Sequence, residues 1–131
     1  MANALKGKTA VSITWIASND TAAEAMRVFF EGHFEFMVNK SYREGPLKLV
    51  TYSIAESPEW AENKSWEQGK IPATTGRTIF NLYEIYETPD GLHHHWIESA
   101  GYLDTFYELM ETHKIEIHLF NQMKIIQSLW E

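Results

Sequence analysis

The stretch Thr78-Ile79-Phe80-Asn81-Leu82-Tyr83-Glu84-Ile85-Tyr86-Glu87 is the clearest strand in the chain. Phe80, Leu82, Glu84 and Tyr86 alternate with Ile79, Asn81, Tyr83 and Ile85, the two-residue period of a β-strand. Both rows carry bulky side chains, so neither reads as a solvated face. One row must meet helices, and the other needs a cover of its own.

Immediately downstream, Thr88-Pro89-Asp90 places a cap residue and a proline ahead of a helix from about Gly91 to His113, with Gly101 able to bend it. On that helix Leu92, Trp96, Ser99, Leu103, Phe106 and Met110 form the expected buried stripe, with His95, Tyr102 and His113 along its edge. Upstream, Leu47 to Ala55 reads as a strand. The segment from Ser57 to Gly76, punctuated by Pro58, Gly69 and Pro72, reads as a long connection with a helical turn near Glu59 to Trp66.

Thr9 to Ala17 alternates Val11, Ile13 and Trp15 against Ser12 and Thr14, which predicts the first strand. Ser18 to Thr21 offer caps, and Glu24 completes a capping box with Thr21. The helix that follows, Ala22 to about Lys40, carries Met26, Phe29, Phe36 and Met37 at helical spacing, with His33 in the same stripe. After His113, Ile115 to Phe120 alternates again, and Met123 to Trp130 reads as the final strand. The order β-α-β-β-α-β is that of a ferredoxin-like α+β domain, a four-stranded antiparallel sheet with two helices on one face.

The 131 residues fit one domain. A formal net charge of -7, from 18 acidic and 11 basic residues, and the lack of a Lys/Arg cluster argue against nucleic acid and anionic membranes. No apolar run approaches the ~20 residues of a membrane span, and Met1 to Lys8 lacks the apolar region of a signal peptide. With no cysteine, disulfides and thiolate chemistry drop out, and the cytoplasm is the default location.

The run Phe80 to Trp96, ending Thr88-Pro89-Asp90-Gly91-Leu92-His93-His94-His95-Trp96, resembles the strand-to-helix segment of the dimeric α+β barrel family, in particular its antibiotic-biosynthesis-monooxygenase-like branch. Glu84 stands at the family's strand acid, Tyr86 at the following aromatic and His95 at the helix histidine. The resemblance implies a homodimer joined through sheet faces and a site between sheet and helices for a small hydrophobic molecule. It implies cofactor-independent monooxygenase, isomerase or cyclase activity on an aromatic or polyketide-like compound. The alternative is a non-catalytic carrier of a fatty-acid-like, amphipathic ligand in the same pocket.

The candidate catalytic residues are His95 and His33. His33 interrupts an apolar stripe between Phe29 and Phe36, where an imidazole needs either a structural partner or a ligand. An imidazole titrating near neutrality suits proton abstraction from a phenol or an activated carbon acid. Trp15, Trp96, Phe29, Tyr83 and Phe106 read either as core or as the walls of a ligand pocket. Asn81 and Tyr102 are the expected polar groups that orient the ligand. His93, His94 and His95 point apart on a helix and do not form a metal site. No nucleotide-binding or zinc-protease motif is present, so no cofactor is expected.

Overall fold

In the computed structural model, which describes residues 3–40, 43–62, 69 and 71–129, the chain runs β1 (Thr9–Ala17), α1 (Asp20–Asn39), β2 (Leu49–Trp60), β3 (Thr74–Tyr86), α2 (Pro89–Ser99), α3 (Leu103–His113) and β4 (Glu116–Lys124). The strands form one antiparallel sheet in the order β2-β3-β1-β4. β1 and β3 therefore sit in the middle, which puts the Thr78 to Tyr86 stretch in the sheet's centre. Among the described residues no helix is long and apolar enough to cross a membrane.

Alternation sets which residues meet the helices. Val11, Ile13 and Trp15 stand opposite Glu84, Leu82 and Phe80 in the β1–β3 register and share one face with them. Trp15, Phe80 and Leu82 on that face join Met26 and Phe30 of α1 in the main core, against which Phe106, Leu109 and Met110 of α3 pack. Val11 and Tyr86 meet Leu92 of α2 in a smaller cluster on the same face. The helices thus cover the Phe80-Leu82-Glu84-Tyr86 row. The opposite row, Ile79, Asn81, Tyr83 and Ile85, looks away from them.

The α1 N-cap is Asn19, whose side chain accepts from the Ala22 amide at 2.8 Å. The expected Thr21–Glu24 capping box does not form, because Glu24 turns to Arg27 at 3.1 Å, and Arg27 also reaches Glu56. Asn19, two residues earlier, caps the helix instead.

The β2–β3 connection departs most from expectation. β2 continues past Ala55 to Trp60 and β3 begins at Thr74, with Pro58 opposite Thr78 and Trp60 opposite Thr74. Pro58 is accommodated because β2 is an edge strand, where a residue without an N–H need not break a ladder. Arg77 clamps this end of the hairpin, donating to both oxygens of Glu59 at 2.8 and 2.6 Å. Glu59 and Trp60 are strand residues, not the expected helical turn, and Trp66 lies outside the described residues.

The expected single helix after Pro89 is two. A 3-10 turn, Ala100–Tyr102, separates α2 from α3 at the glycine flagged by the sequence. The buried face of α2 is Gly91, Leu92 and His95, so the expected stripe is displaced by one position. His95 turns inward, and Trp96 is 43% exposed. Gly91 explains the displacement: a Cβ there would stand 2.1 Å from the Leu47 carbonyl oxygen, so only glycine lets this turn settle against residue 47.

β4 is one strand ending at Lys124, not a strand starting at Met123. Ser12 pairs with Phe120 but Ala10 with Met123, so two residues of β1 span three of β4. Gln122, at φ 54, absorbs the extra residue as a bulge. Beyond it the tail leaves the sheet and bonds the N-terminal segment, Ile125 N–H to Lys8 O at 3.0 Å and Gly7 N–H to Ile125 O at 2.8 Å. Trp130 lies outside the described residues.

Candidate functional site

A cavity of about 300 Å³ opens between the sheet and the three helices. Seven residues singled out from the sequence meet there: Trp15 on β1, Phe29 and His33 on α1, His95 and Trp96 on α2, Tyr102 in the 3-10 turn and Phe106 on α3. Trp15 projects from the sheet face described above, and the helical residues converge on it because α1, α2 and α3 cover that face. Asn81 and Tyr83 do not line it. Their odd-numbered row faces the other way, where the Asn81 amide donates to Ser12 Oγ at 3.0 Å and Thr14 Oγ1 at 3.1 Å.

The titratable residues that line the cavity include His33, His95 and Glu84. The two imidazole rings lie 5.8 Å apart, edge to face. His33 Nδ1 is 2.7 Å from Tyr52 Oη, and His95 Nδ1 is 3.3 Å from Ser99 Oγ. Burial pushes both histidines down to about 4, with the neighbouring His33 adding to the effect on His95. Both rings are therefore neutral near pH 7. The expectation of an imidazole titrating near neutrality is not met.

Glu84 supplies the near-neutral group instead. It stands between Val11 on β1 and Tyr52 on β2 in the helix-facing row, 2% exposed, with Tyr86 Oη donating to it at 3.3 Å. Burial pushes its carboxyl up to about 7, against the opposing pull of the Tyr86 hydroxyl. Burial, then the charge of Glu84, also pushes the Tyr52 phenol upward. Glu84 was not among the candidate catalytic residues. Its signal was legible, since an acid in register with Phe80 and Leu82 has to be buried when those residues are.

The walls are aromatic. Trp15 contacts Phe30 and Phe106 edge-on, with ring centres 5.0 and 6.4 Å apart, and Phe29 lies 5.8 Å from Phe106 and stacks at 6.3 Å on His33. Trp15 is 2% exposed, yet its indole Nε1–H has no hydrogen-bond partner among the described residues. No lysine or arginine is among the described residues that line the cavity.

His93 and His94 stay outside. Both are exposed, and His93 bonds Gln122 at 2.7 Å and stacks on Trp96. Among the described residues no three His, Cys, Asp or Glu side chains gather into a group that could hold a metal ion.

Chemically, the arrangement offers an aromatic slot with two neutral imidazoles and one carboxyl poised between its charged and neutral forms. Compared with protein-family models, with curated proteins and with solved structures, the chain shows no significant match.

Proposed function

We propose that the protein binds a flat, apolar organic molecule in this cavity and moves a proton on it without a cofactor, as an oxygenase, isomerase or cyclase of an aromatic or polyketide-like compound. The observation that carries this reading is that Glu84, His33 and His95 line one cavity walled by aromatic side chains. A group exchanges protons best when its pKa lies near the working pH, and Glu84, at about 7, meets that condition. The neutral histidines serve as hydrogen-bonding partners that hold the reacting oxygen or carbon acid beside the carboxylate.

The test is a panel of quinols and anthrone-like compounds assayed with wild type, Glu84→Gln and His95→Ala. Wild type is expected to turn over at least one of them, Glu84→Gln to lose about a hundredfold in rate, and His95→Ala about tenfold. Equal turnover in all three would remove these residues from the reaction. Native mass spectrometry separates the alternative: an amphipathic molecule that co-purifies and is released unchanged, with no turnover of the panel, favours a carrier.

We also infer that the domain is ferredoxin-like and pairs through its outer sheet face into a dimeric α+β barrel. The strand order β2-β3-β1-β4 fits that fold. On the outer face Ile79 pairs with Ile16, while Tyr83 and Phe120 flank Ser12, and Phe120 is 53% exposed. This apolar surface supports a covering copy, although Asn81 and its hydroxyl partners make its centre polar. Sedimentation at micromolar concentration is expected to give a species near twice the 15.2 kDa chain mass, shifted toward monomer by Tyr83→Lys. A stable wild-type monomer would sink the pairing and leave the cavity reading intact.

A further inference from the structure

We propose that His33 selects the ligand: Tyr52 holds its ring so that Nε2–H stands open to the cavity as a donor, and the ligand answers with an uncharged acceptor oxygen such as a ring carbonyl. The inference rests on the reading of the cavity as a site for a flat apolar ligand and adds the residue and the hydrogen bond that orient it.

The two nitrogens of the His33 ring face different surroundings. His33 lines the cavity and Tyr52 does not; Tyr52 stands beside Phe34 in grooves between α1 and β2. Tyr52 Oη is 2.7 Å from Nδ1, with the two rings stacked at 5.5 Å, so Nδ1 is turned toward β2. Nε2, on the far side of Cε1, has no hydrogen-bond partner among the described residues. It is not sealed off either. Among the described residues Trp15 Nε1 alone combines the lack of a partner with complete burial, so Nε2 keeps accessible surface that a ligand atom can touch, and the hollow that His33 lines is the cavity.

The direction of the Tyr52 bond fixes which nitrogen carries the proton. Burial keeps His33 neutral, so one ring nitrogen donates and the other accepts. Tyr52 Oη has no hydrogen-bond partner other than Nδ1 among the described residues, and burial holds its phenol in the protonated form. A separation of 2.7 Å is the length typical of a hydroxyl donor and short for an N–H donor. The phenol therefore donates to Nδ1, and the ring proton sits on Nε2. An anion is the wrong answer to that donor. No lysine or arginine is among the described lining residues, and Glu84 lines the same cavity, so a carboxylate would lose its hydration beside another carboxyl with no cation in return. A carbonyl oxygen accepts the same hydrogen bond without that penalty.

Fluorenone, fluorene and fluorene-9-carboxylate share one ring system and differ in the oxygen they present. In the full chain with histidine ring nitrogens labelled with nitrogen-15, the His33 signals, identified by their loss in His33→Phe, are expected to show the proton on Nε2 near neutral pH. Fluorenone is expected to bind about tenfold tighter than fluorene and to move the Nε2 resonance, while fluorene leaves it nearly still and the carboxylate binds more weakly than either. In His33→Phe the preference for the ketone is expected to fall to about one. Tyr52→Phe is expected to shift the Nδ1 resonance and to weaken fluorenone about threefold with fluorene unchanged, because the freed ring spends part of its time in forms that do not present Nε2–H. A proton on Nδ1 in wild type, equal binding of ketone and hydrocarbon, a preference that survives His33→Phe, or tightest binding of the carboxylate each overturns the assignment while leaving a ligand cavity in place. Unchanged ketone affinity in Tyr52→Phe overturns the part given to Tyr52. If His33→Phe does not fold, the signals perturbed by Tyr52→Phe identify His33 and the wild-type resonance shift decides. Failure of all three compounds to bind removes the cavity reading and the assignment with it.

Discussion

Glu84→Gln is expected to raise the thermal midpoint at pH 8 by about 10 °C. In the unfolded chain Glu84 ionises near 4.5, and in the fold its value is carried up to about 7. The fold therefore favours the protonated carboxyl. That contribution is fully present below about pH 4.5 and is lost as pH rises toward 7. Above pH 7 the ionised group costs the fold about 3 kcal/mol, on the scale of 1.36 kcal/mol for each pKa unit. Glutamine keeps the shape and cannot ionise, so the gain appears at pH 8, and at about 4 °C per kcal/mol for a chain of this size it gives the stated midpoint.

His33 and His95 act in the opposite direction. The fold holds both at about 4, below their ordinary 6.5, so it favours the neutral rings. Their contribution is present above pH 6.5 and is lost as pH falls toward 4. Between pH 6.5 and 4.5 the Glu84 carboxyl partly offsets them in wild type, and in Glu84→Gln it no longer does. The variant should lose stability on acidification about twice as steeply, and near pH 4 its advantage should vanish. Calorimetric scans from pH 4 to 8 give the full curve. A variant no more stable than wild type at pH 8 would show that Glu84 is not held against its ionisation.

Among the glycines of the chain, Gly91→Ala is expected to meet the most severe clash. The new Cβ would lie 2.1 Å from the Leu47 carbonyl oxygen and 3.0 Å from its carbonyl carbon. Backbone cannot yield as the end of a flexible side chain does, so the first turn of α2 must lift from residue 47. We expect a loss of about 3 kcal/mol or more. Leu92 and His95 ride on the same turn, so binding in the cavity should weaken along with stability. Denaturant unfolding measures the first effect and ligand titration the second; Gly101→Ala, where nothing stands within 4 Å of the added carbon, is the control. Equal midpoints for the two variants would remove Gly91 as the seat of the helix.

Much of this site was legible in the sequence. The period of β1 and β3 and the helical stripe through Phe29, His33 and Phe36 are local properties, and each element formed where its pattern lay. The choice of face on β3 was not local. Both of its rows are bulky, so only the packing of α1, α2 and α3 decides that Glu84 looks into the cavity while Asn81 and Tyr83 look away. The identity of the buried acid in the cavity followed from that choice. Residues 56–60 were misread for another reason: Pro58 reads as a break unless the strand is known to be an edge, which is a fact of topology. The inward turn of His95 depended on a contact with Leu47, 48 positions earlier in the chain.

α3 buries no side chain completely, and the 3-10 turn that precedes it contains none either. Leu103, Phe106 and Tyr107 nevertheless form part of the cavity wall. The free energy needed to detach this segment is thus smaller than that needed to unfold the sheet, and openings of such segments recur on the microsecond-to-millisecond scale. Access to the site is then a property of one loosely held wall. For the ligand proposed above, the rate of capture and release would be set by the breathing of α3, and the affinity by the more firmly packed residues of β1, β3, α1 and α2.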